Sequence, residues 1–186
     1  MTGLEKLPAL LAAQDWAGAE KLLRRAARAR KADASVLYNL GRVLIERGDW
    51  RGALSWLKKA VAAKPTHAHA WFEIGRCALE TGDLALACKG FERALALDPS
   101  DADARRNLGR VALRLGRYEL AREAWAPLDG QDAEADAALY RVAAETRSPE
   151  AEARRVALLA RPEARALAIT TLGRVSKGKL PLNLRG

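Results

Sequence analysis

The chain has 186 residues, of which 32 are Lys or Arg, 23 are Asp or Glu and 5% are aromatic. A chain of this length holds one or two domains, and its abundance of Ala, Leu and Arg favours helices over a β-rich fold. The formal net charge of +9 suits an acidic partner. Because no Lys- or Arg-rich run resembles a DNA-binding arm, the sequence does not favour nucleic acid as that partner.

Secretion and membrane insertion are not indicated either. The N-terminus lacks a basic segment followed by an apolar core, and no apolar run approaches the ~20 residues that span a bilayer. The two cysteines, Cys77 and Cys88, make no disulfide framework. Both fall in predicted helices, where a free cysteine behaves as a small buried hydrophobic residue. The sequence therefore predicts a cytoplasmic protein without a membrane span.

At several positions along the chain, residues of similar size and type recur every 34 residues. A large apolar or aromatic side chain recurs as Trp16, Trp50, Leu84 and Tyr118. A small one recurs as Ala19, Ala53, Ala87 and Ala121, and a second large one as Leu23, Leu57, Phe91 and Trp125. Glycine recurs as Gly41, Gly75 and Gly109, and again as Gly48, Gly82 and Gly116. Such a period indicates helical hairpins that stack on one another.

The small residues predict where the two helices of a hairpin approach each other. Gly41 and its equivalents lie inside the first helix, where Gly costs about 1 kcal/mol relative to Ala. We therefore expect the second helix to cross closely there. Ala53 and its equivalents supply the matching small residue, and Leu57 and its equivalents fill the space between repeats.

The turn between the two helices is also predicted by residue type. Gly48 and its equivalents suit the left-handed position that ends a helix. Asp49 and Asp83 follow as N-caps of the next helix, a role that Arg117 does not match.

In chain order, the predicted elements are a degenerate hairpin, three clear hairpins, a second degenerate hairpin, a capping helix and a basic flexible tail. Their ranges are 1–33; 34–67, 68–101 and 102–133; 134–162; 163–176; and 177–186. Within the second degenerate hairpin, helices are predicted over 134–146 and 150–160, with Ser148 as N-cap and Pro149 at the first helical position. Residues 1–176 are predicted to form a single domain.

The three clear hairpins resemble the tetratricopeptide repeat, whose pattern is W-x2-L-G-x2-Y, then A-x3-F and a closing Pro. The first reads Leu37-x2-Leu40-Gly41-x2-Leu44, then Ala53-x3-Leu57 and Pro65. The second reads Trp71-x2-Ile74-Gly75-x2-Ala78, then Ala87-x3-Phe91 and Pro99. The third reads Arg105-x2-Leu108-Gly109-x2-Ala112, then Ala121-x3-Trp125; it lacks the closing Pro and has Arg105 where the family prefers a large apolar residue. The resemblance implies an all-α fold, a right-handed superhelical stack of antiparallel hairpins (an α-solenoid) with a C-terminal capping helix.

The resemblance also implies a concave groove lined by the first helix of each hairpin. The groove residues that we predict are Tyr38, Asn39, Arg42, Phe72, Arg76, Arg106, Asn107, Arg110 and Arg114. The same register places Ile45 and Leu113 in the groove. Guanidinium groups bind carboxylates bidentately, so the predicted partner is a protein or peptide that is acidic or carboxylate-bearing. Alternatively, Glu46 and Glu80 pair with Arg42 and Arg76 at i,i+4 spacing, and the face is self-neutralised.

Catalytic motifs are not recognisable. The sequence has no phosphate-binding Gly loop, nucleophile elbow or paired-cysteine metal site. His67 and His69 are interpreted as a helix-start residue and a polar groove residue. The sequence therefore predicts a non-catalytic scaffold or adaptor with no cofactor and no metal.

Two alternatives remain open. One is an accessory or N-terminal module of an enzyme, for example a glycosyl- or sulfotransferase. The other is self-association through Leu180, Leu182 and Leu184 of the tail.

Overall fold

Helices account for most of residues 3–28 and 32–176, which are the residues that the computed structural model describes. The α-helices are α1 Leu7–Ala12, α2 Trp16–Ala26, α3 Ala34–Glu46, α4 Trp50–Ala63, α5 Ala68–Glu80, α6 Leu84–Leu97, α7 Ala102–Arg114, α8 Tyr118–Trp125, α9 Ala133–Glu145, α10 Ala151–Leu159 and α11 Arg165–Val175. Three short 3-10 helices are Leu4–Lys6, Ala126–Leu128 and Pro162–Ala164. The described ranges contain no β-strand. The all-α class and the repeated helix pairs predicted from the sequence are confirmed.

The chain divides into two compact units, residues 1–104 and residues 105–186. In unit 1 the most extensive packing joins α3 with α4 and α5 with α6, while α4 also packs on α5 and α2 on α3. In unit 2, α9 packs against α8, α10 and α11. The prediction of a single domain over residues 1–176 stays a prediction.

Short turns with defined caps separate the two helices of each pair. The carboxylates of Asp15, Asp49 and Asp83 accept hydrogen bonds from the backbone nitrogens of Gly18, Gly52 and Leu86 at 2.8, 2.8 and 2.9 Å. The two predicted caps, Asp49 and Asp83, are confirmed. Arg117 precedes α8 without a side-chain cap.

The residue that ends the first helix of each pair adopts a left-handed conformation. Gly48, Gly82 and Gly116 have φ angles of 77°, 82° and 68°, as predicted. Among the described residues, two that are not glycine share this conformation, Gln14 at φ 54° and Arg147 at φ 55°. Gln14 stands 34 residues before Gly48, so the turn of the repeat extends into the first, degenerate hairpin.

The predicted close approach at the helical glycines is present, but the neighbour is the large side chain rather than the alanine. A β-carbon at Gly41 would lie 2.7 Å from Leu57, and one at Gly75 would lie 2.6 Å from Phe91. In unit 2, a β-carbon at Gly109 would lie 2.2 Å from the Trp125 indole nitrogen. The missing β-carbon therefore makes room for the large residue of the second helix, and all three large side chains are fully buried.

The predicted start of α10 is one or two residues too early, and its predicted N-cap is wrong. The helix begins at Ala151, and Glu150 rather than Ser148 occupies the N-cap position. The backbone oxygen of Ser148 accepts a hydrogen bond from the Ala151 nitrogen at 3.1 Å, and its hydroxyl accepts one from the Glu150 nitrogen at 3.3 Å. Ser148 therefore stabilises a turn that includes Pro149, and the helix starts after this turn.

Several sequence predictions fall outside the described residues. The predicted tail, residues 177–186, and the self-association through Leu180, Leu182 and Leu184 belong to this group, as does the stretch 29–31 of the first hairpin.

Candidate functional site

The first helices of two hairpins, α3 and α5, bring five predicted groove residues together in unit 1. The helices contact each other directly. Tyr38, Asn39 and Arg42 project from α3, and Phe72 and Arg76 from α5, and all five are half-buried. With Glu73 of α5, these residues form what we call the first-helix face.

Two other residues expected in the groove are core residues instead. Ile45 is buried in the core of unit 1, and Leu113 is buried in the core of unit 2. Phe72 also contributes to packing, since its ring meets that of Phe91 edge-on with centroids 5.6 Å apart. An apolar residue near the edge of the helix face gains more by turning into the core than by remaining in water.

Glu73 is the charged residue that sequence reasoning missed. Its side chain is only 5% exposed, and it lies between two arginines. Arg76 donates to both carboxylate oxygens at 2.9 and 3.2 Å, and the Arg42 Nε lies 3.5 Å from Oε1. Burial raises the pKa of Glu73, although the charges of Arg76 and Arg42 oppose this shift. A signal was available, because Glu73 stands in register between Asn39 and Asn107, the position at which the family resemblance implies a ligand contact.

Arg42 is held more loosely than Arg76. Its Nη1 donates to the Tyr38 hydroxyl at 3.3 Å, and Glu46 lies 3.8 Å from Nη2. The Nε atom is buried and has no hydrogen-bond partner among the described residues. The charge of Arg42 is therefore balanced by Glu73 and Glu46, while most of its donor capacity is not engaged by them.

Tyr38 links this cluster to the start of α5. Its ring lies on the imidazole of His67, with centroids 4.7 Å apart and planes inclined by 37°. His67 is the N-cap of α5, as the sequence predicted, and its Nδ1 accepts a hydrogen bond from the Ala70 nitrogen at 3.3 Å. Burial lowers the pKa of His67, and the nearby charges of Lys64 and His69 act in the same direction.

A cavity of about 280 Å³ lies between the N-terminal helices and α3. It is lined by Leu11, Trp16, Tyr38, Asn39, Arg42, Val43 and Glu46. The lining combines apolar and aromatic walls with one amide, one guanidinium and one carboxylate. Such a mixture suits a polypeptide segment, whose apolar side chains and polar backbone both need partners.

The remaining predicted groove residues belong to α7 in unit 2, and two of the arginines are paired there. Arg106 Nε donates to Asp132 at 2.8 Å, and Arg110 Nε donates to Glu134 at 2.6 Å. Arg110 also lies 3.5 Å from the Asn107 side-chain oxygen. Arg114 is exposed at the end of the helix. Asp132, the N-cap of α9, and Glu134, in its first turn, thus neutralise Arg106 and Arg110.

The self-pairing that the sequence left open is therefore partly present, with different partners. Arg42 has the expected i,i+4 contact with Glu46. Arg76, by contrast, forms an ion pair with Glu73, which lies three residues earlier in the same helix. As for metal ions, the described ranges hold no group of three His, Cys, Asp or Glu side chains that could bind one.

Comparison with known proteins identifies the repeat. Family models of the tetratricopeptide repeat match residues 10–71, 44–89 and 89–133. The chain belongs to the tetratricopeptide repeat family. No curated protein matches the chain in sequence.

Solved tetratricopeptide repeat structures share the fold. YrrB, a TPR protein with an unusual peptide-binding site, is 19% identical and superposes with a TM-score of 0.77, covering 90% of this chain and 88% of its own. A MamA structure is 21% identical with a TM-score of 0.70, covering 96% and 94%. MamA from Desulfovibrio magneticus RS-1 is 21% identical with a TM-score of 0.66, covering 94% and 91%. At these identities the likeness concerns the fold alone.

Among the described helices, none has both the length and the apolar character that crossing a membrane requires.

Proposed function

We propose that this tetratricopeptide repeat chain is a non-catalytic scaffold that binds an extended, carboxylate-bearing segment of a partner protein on the first-helix face. One observation carries the proposal. Arg42 lines a cavity of about 280 Å³, and its guanidinium makes no contact shorter than 3.3 Å with another polar group among the described residues. A hydrogen bond to a charged group contributes about 1.5–3 kcal/mol, so a ligand carboxylate on the exposed edge of this guanidinium gains a contact that the free chain does not make.

A carboxylate is the ligand group that suits Arg42. Glu73 and Glu46 approach it at 3.5 and 3.8 Å. A charge-assisted hydrogen bond is shorter, at about 2.7–2.9 Å. A partner carboxylate could therefore bind the outward guanidinium edge without displacing a short hydrogen bond. The Arg42 side chain is 43% exposed, so this edge is accessible.

The rest of the cavity suits the chain that carries this carboxylate. Leu11, Trp16 and Val43 provide apolar surface for a side chain. The Asn39 amide can both donate to and accept from a peptide backbone. A segment that runs along α3 in extended form would meet these groups in turn.

We expect the arginines of unit 2 to contribute less to partner binding than Arg42. A partner carboxylate at Arg106 or Arg110 would compete with Asp132 and Glu134, which already accept hydrogen bonds from them. Asn107 and Arg114 remain proposed contacts, as do Phe72 and Arg76. YrrB, which has the same fold, is described as having a peptide-binding site, which supports a peptide as the class of ligand.

Selection from a displayed library of random peptides tests the proposal. We expect the wild-type chain to enrich peptides that carry Asp, Glu or a free C-terminus. Because a hydrogen bond to a charged group contributes about 1.5–3 kcal/mol, Arg42→Gln should weaken a selected peptide by about 10- to 100-fold. Arg155→Gln is the matched control, because Arg155 is paired with Glu152 in unit 2. Enrichment without any carboxylate, or equal affinity for Arg42→Gln, would refute the proposal.

The alternative of an accessory module for an enzyme stays a prediction of the sequence. It needs the same kind of binding face, and none of the contacts described above favours it over a scaffold.

A further inference from the structure

A second charged surface lies on the second helices of unit 1, away from the first-helix face. It consists of exposed cations on one side of α2 and α4 and in the turn that directly follows α2, and we call it the outer basic face. Its members are Lys21, Arg24, Arg25, Arg28, Arg51, Lys58 and Lys59. The opposite side of each helix is apolar and buried, with Leu23 on α2 and Leu57 on α4 fully enclosed. Helical periodicity thus places the cations of each helix on the side opposite its buried residues.

The cations of the two helices meet at Trp56. The Lys59 ammonium lies 3.9 Å from the centroid of the Trp56 ring, and the Arg24 guanidinium carbon lies 6.0 Å from it. Cations at these distances are attracted by the ring electrons. Trp56 therefore brings a cation of α2 and a cation of α4 together at one place on the outer basic face.

Counter-charges on this surface are few, and each is already used. α4 contains no acidic residue. Glu20 of α2 binds Arg24 at 2.6 Å and also Arg47, and the hydrogen bond from Arg24 is the main reason that its pKa is lowered. Asp15 and Asp49 cap the two helices. The first-helix face differs, because Glu73 and Glu46 balance its arginines.

The composition of the outer basic face indicates what kind of partner it fits. The large hydrophobic side chains that are exposed in the described residues, Leu115, Val156, Leu159 and Ile169, all belong to unit 2. Interfaces between folded proteins use aromatic and apolar anchors and are depleted of Lys, and membrane insertion also needs apolar side chains. Clustered Lys and Arg without such anchors are typical of nucleic-acid interfaces.

We propose that the outer basic face binds the sugar–phosphate backbone of a nucleic acid. The contacts are ion pairs between phosphates and the exposed cations of this face other than Arg24, which is paired with Glu20, so binding is independent of base sequence. Base stacking has no part in it, because Lys59 already covers Trp56. The linear sequence did not favour nucleic acid because it shows no separate basic arm. The folded helices place residues 21–28 beside residues 51–59, and this arrangement replaces the arm.

Fluorescence anisotropy with a short labelled DNA duplex and a single-stranded RNA tests the proposal on the full chain. We expect both to bind, with affinity that falls linearly on a log–log plot between about 50 and 200 mM salt. The test variant is Arg25→Gln/Lys58→Gln/Lys59→Gln, in which each replaced side chain is exposed. Losing about three phosphate contacts should reduce the salt slope by about 2 to 3 and the affinity by at least tenfold.

The control variant removes the same charge elsewhere. It is Arg122→Gln/Arg155→Gln/Arg174→Gln, whose arginines are exposed or partly exposed on helices of unit 2. The proposal requires this control to keep most of the affinity. Equal losses in both variants would mean that net charge alone drives binding, and would overturn the proposal.

Two competitors decide the class of partner. Poly-glutamate at the same concentration of charge should displace the DNA duplex weakly, because a duplex carries one charge per about 1.7 Å of its axis and successive glutamates of an extended chain are about 3.3–3.6 Å apart. Vesicles that contain anionic lipid should do the same, since no apolar side chain anchors the face to a membrane. If either competitor binds as tightly as the nucleic acid, the face is not a nucleic-acid site.

Discussion

The backbone of Gly90 in α6 lies directly against that of Gly75 in α5. A β-carbon at Gly90 would stand 2.7 Å from the Gly75 nitrogen and 2.8 Å from its Cα. Phe91 follows Gly90 and fills the space beside Gly75, so two adjacent residues of α6 fix the distance between the helices. This contact fixes the position of α6 relative to α5, the helix that carries Glu73 and Arg76 of the first-helix face.

Gly90→Ala should therefore destabilise the protein although Ala is the better helix former. The added methyl meets backbone, which cannot rotate away as a side chain does, and overpacking of this kind costs about 1–3 kcal/mol. Gly173→Ala is the control, because a β-carbon there has nothing within 4 Å. It should stabilise the protein by up to about 1 kcal/mol. Urea denaturation measures both changes, and a Gly90→Ala variant as stable as the wild type would contradict the packing described.

Gln14 offers a stabilising substitution. A non-glycine residue at φ 54° is strained by about 1–2 kcal/mol, and Gly removes that strain at some cost in the entropy of the unfolded chain. Gln14→Gly should therefore stabilise the N-terminal hairpin by about 0.5–1 kcal/mol. The reverse change, Gly48→Ala, should destabilise by a similar amount, because Gly48 has the same conformation and open space around it. Chemical denaturation of both variants checks the pair, and changes of the same sign would be inconsistent with a backbone effect.

The fold could be predicted because its determinants repeat. Gly48, Gly82 and Gly116 each end a helix for the same local reason, and three copies distinguish a pattern from chance. Gln14 shows the limit of this reasoning. Its left-handed conformation occurs in the same turn that Gly48 makes one period later, and the residue type alone gives no sign of it.

The site was harder to predict than the fold because its pairing is not local. Spacing at i,i+4 is visible in a sequence, and it correctly indicated the contact between Arg42 and Glu46. The contact between Arg42 and Glu73 depends on which residue of the next hairpin is buried. In unit 2, Arg106 and Arg110 likewise pair with acids 26 and 24 residues away. Such partners follow from the stacking of helices, which a pattern within one repeat does not specify.

Glu73→Gln should strengthen binding of a carboxylate-bearing peptide to the first-helix face. The substitution removes a negative charge from between Arg42 and Arg76, while the amide oxygen can still accept from Arg76. Because the pKa of Glu73 is raised, its ionised form costs stability at neutral pH. The variant should therefore be at least as stable as the wild type, and its affinity for a peptide selected on the wild type should rise several-fold.

Glu80→Gln is the control for this prediction. Glu80 is exposed at the end of the same helix, so the change alters net charge equally without touching the buried cluster. Isothermal titration calorimetry with the same peptide compares the two variants. Equal gains in affinity would show that the long-range charge matters rather than the position between the arginines.

Stability should decrease on mild acidification because of His67. Its Nδ1 must be unprotonated to accept from the Ala70 nitrogen, and its pKa is lowered first by burial and then by Lys64 and His69. A lowered histidine pKa means that the unfolded chain binds the proton more readily than the folded one. The His67 contribution is therefore fully present above the ordinary value of about 6.5 and is lost as the pH falls from there towards the lowered pKa.

His67→Asn isolates this contribution, since Asn is a good N-cap that does not titrate. Free energies of unfolding from urea titrations, measured from about pH 8 to about pH 5, should fall more steeply for the wild type than for His67→Asn. The difference between the two curves is the informative quantity, because Glu73 titrates in both proteins. Its raised pKa acts in the opposite sense, adding stability as the pH falls. His69→Asn leaves the cap of α5 intact and removes only the smallest of the three contributions that lower the His67 pKa, so its slope should stay closer to the wild type than to His67→Asn. Parallel curves for wild type and His67→Asn would rule out His67 as the source.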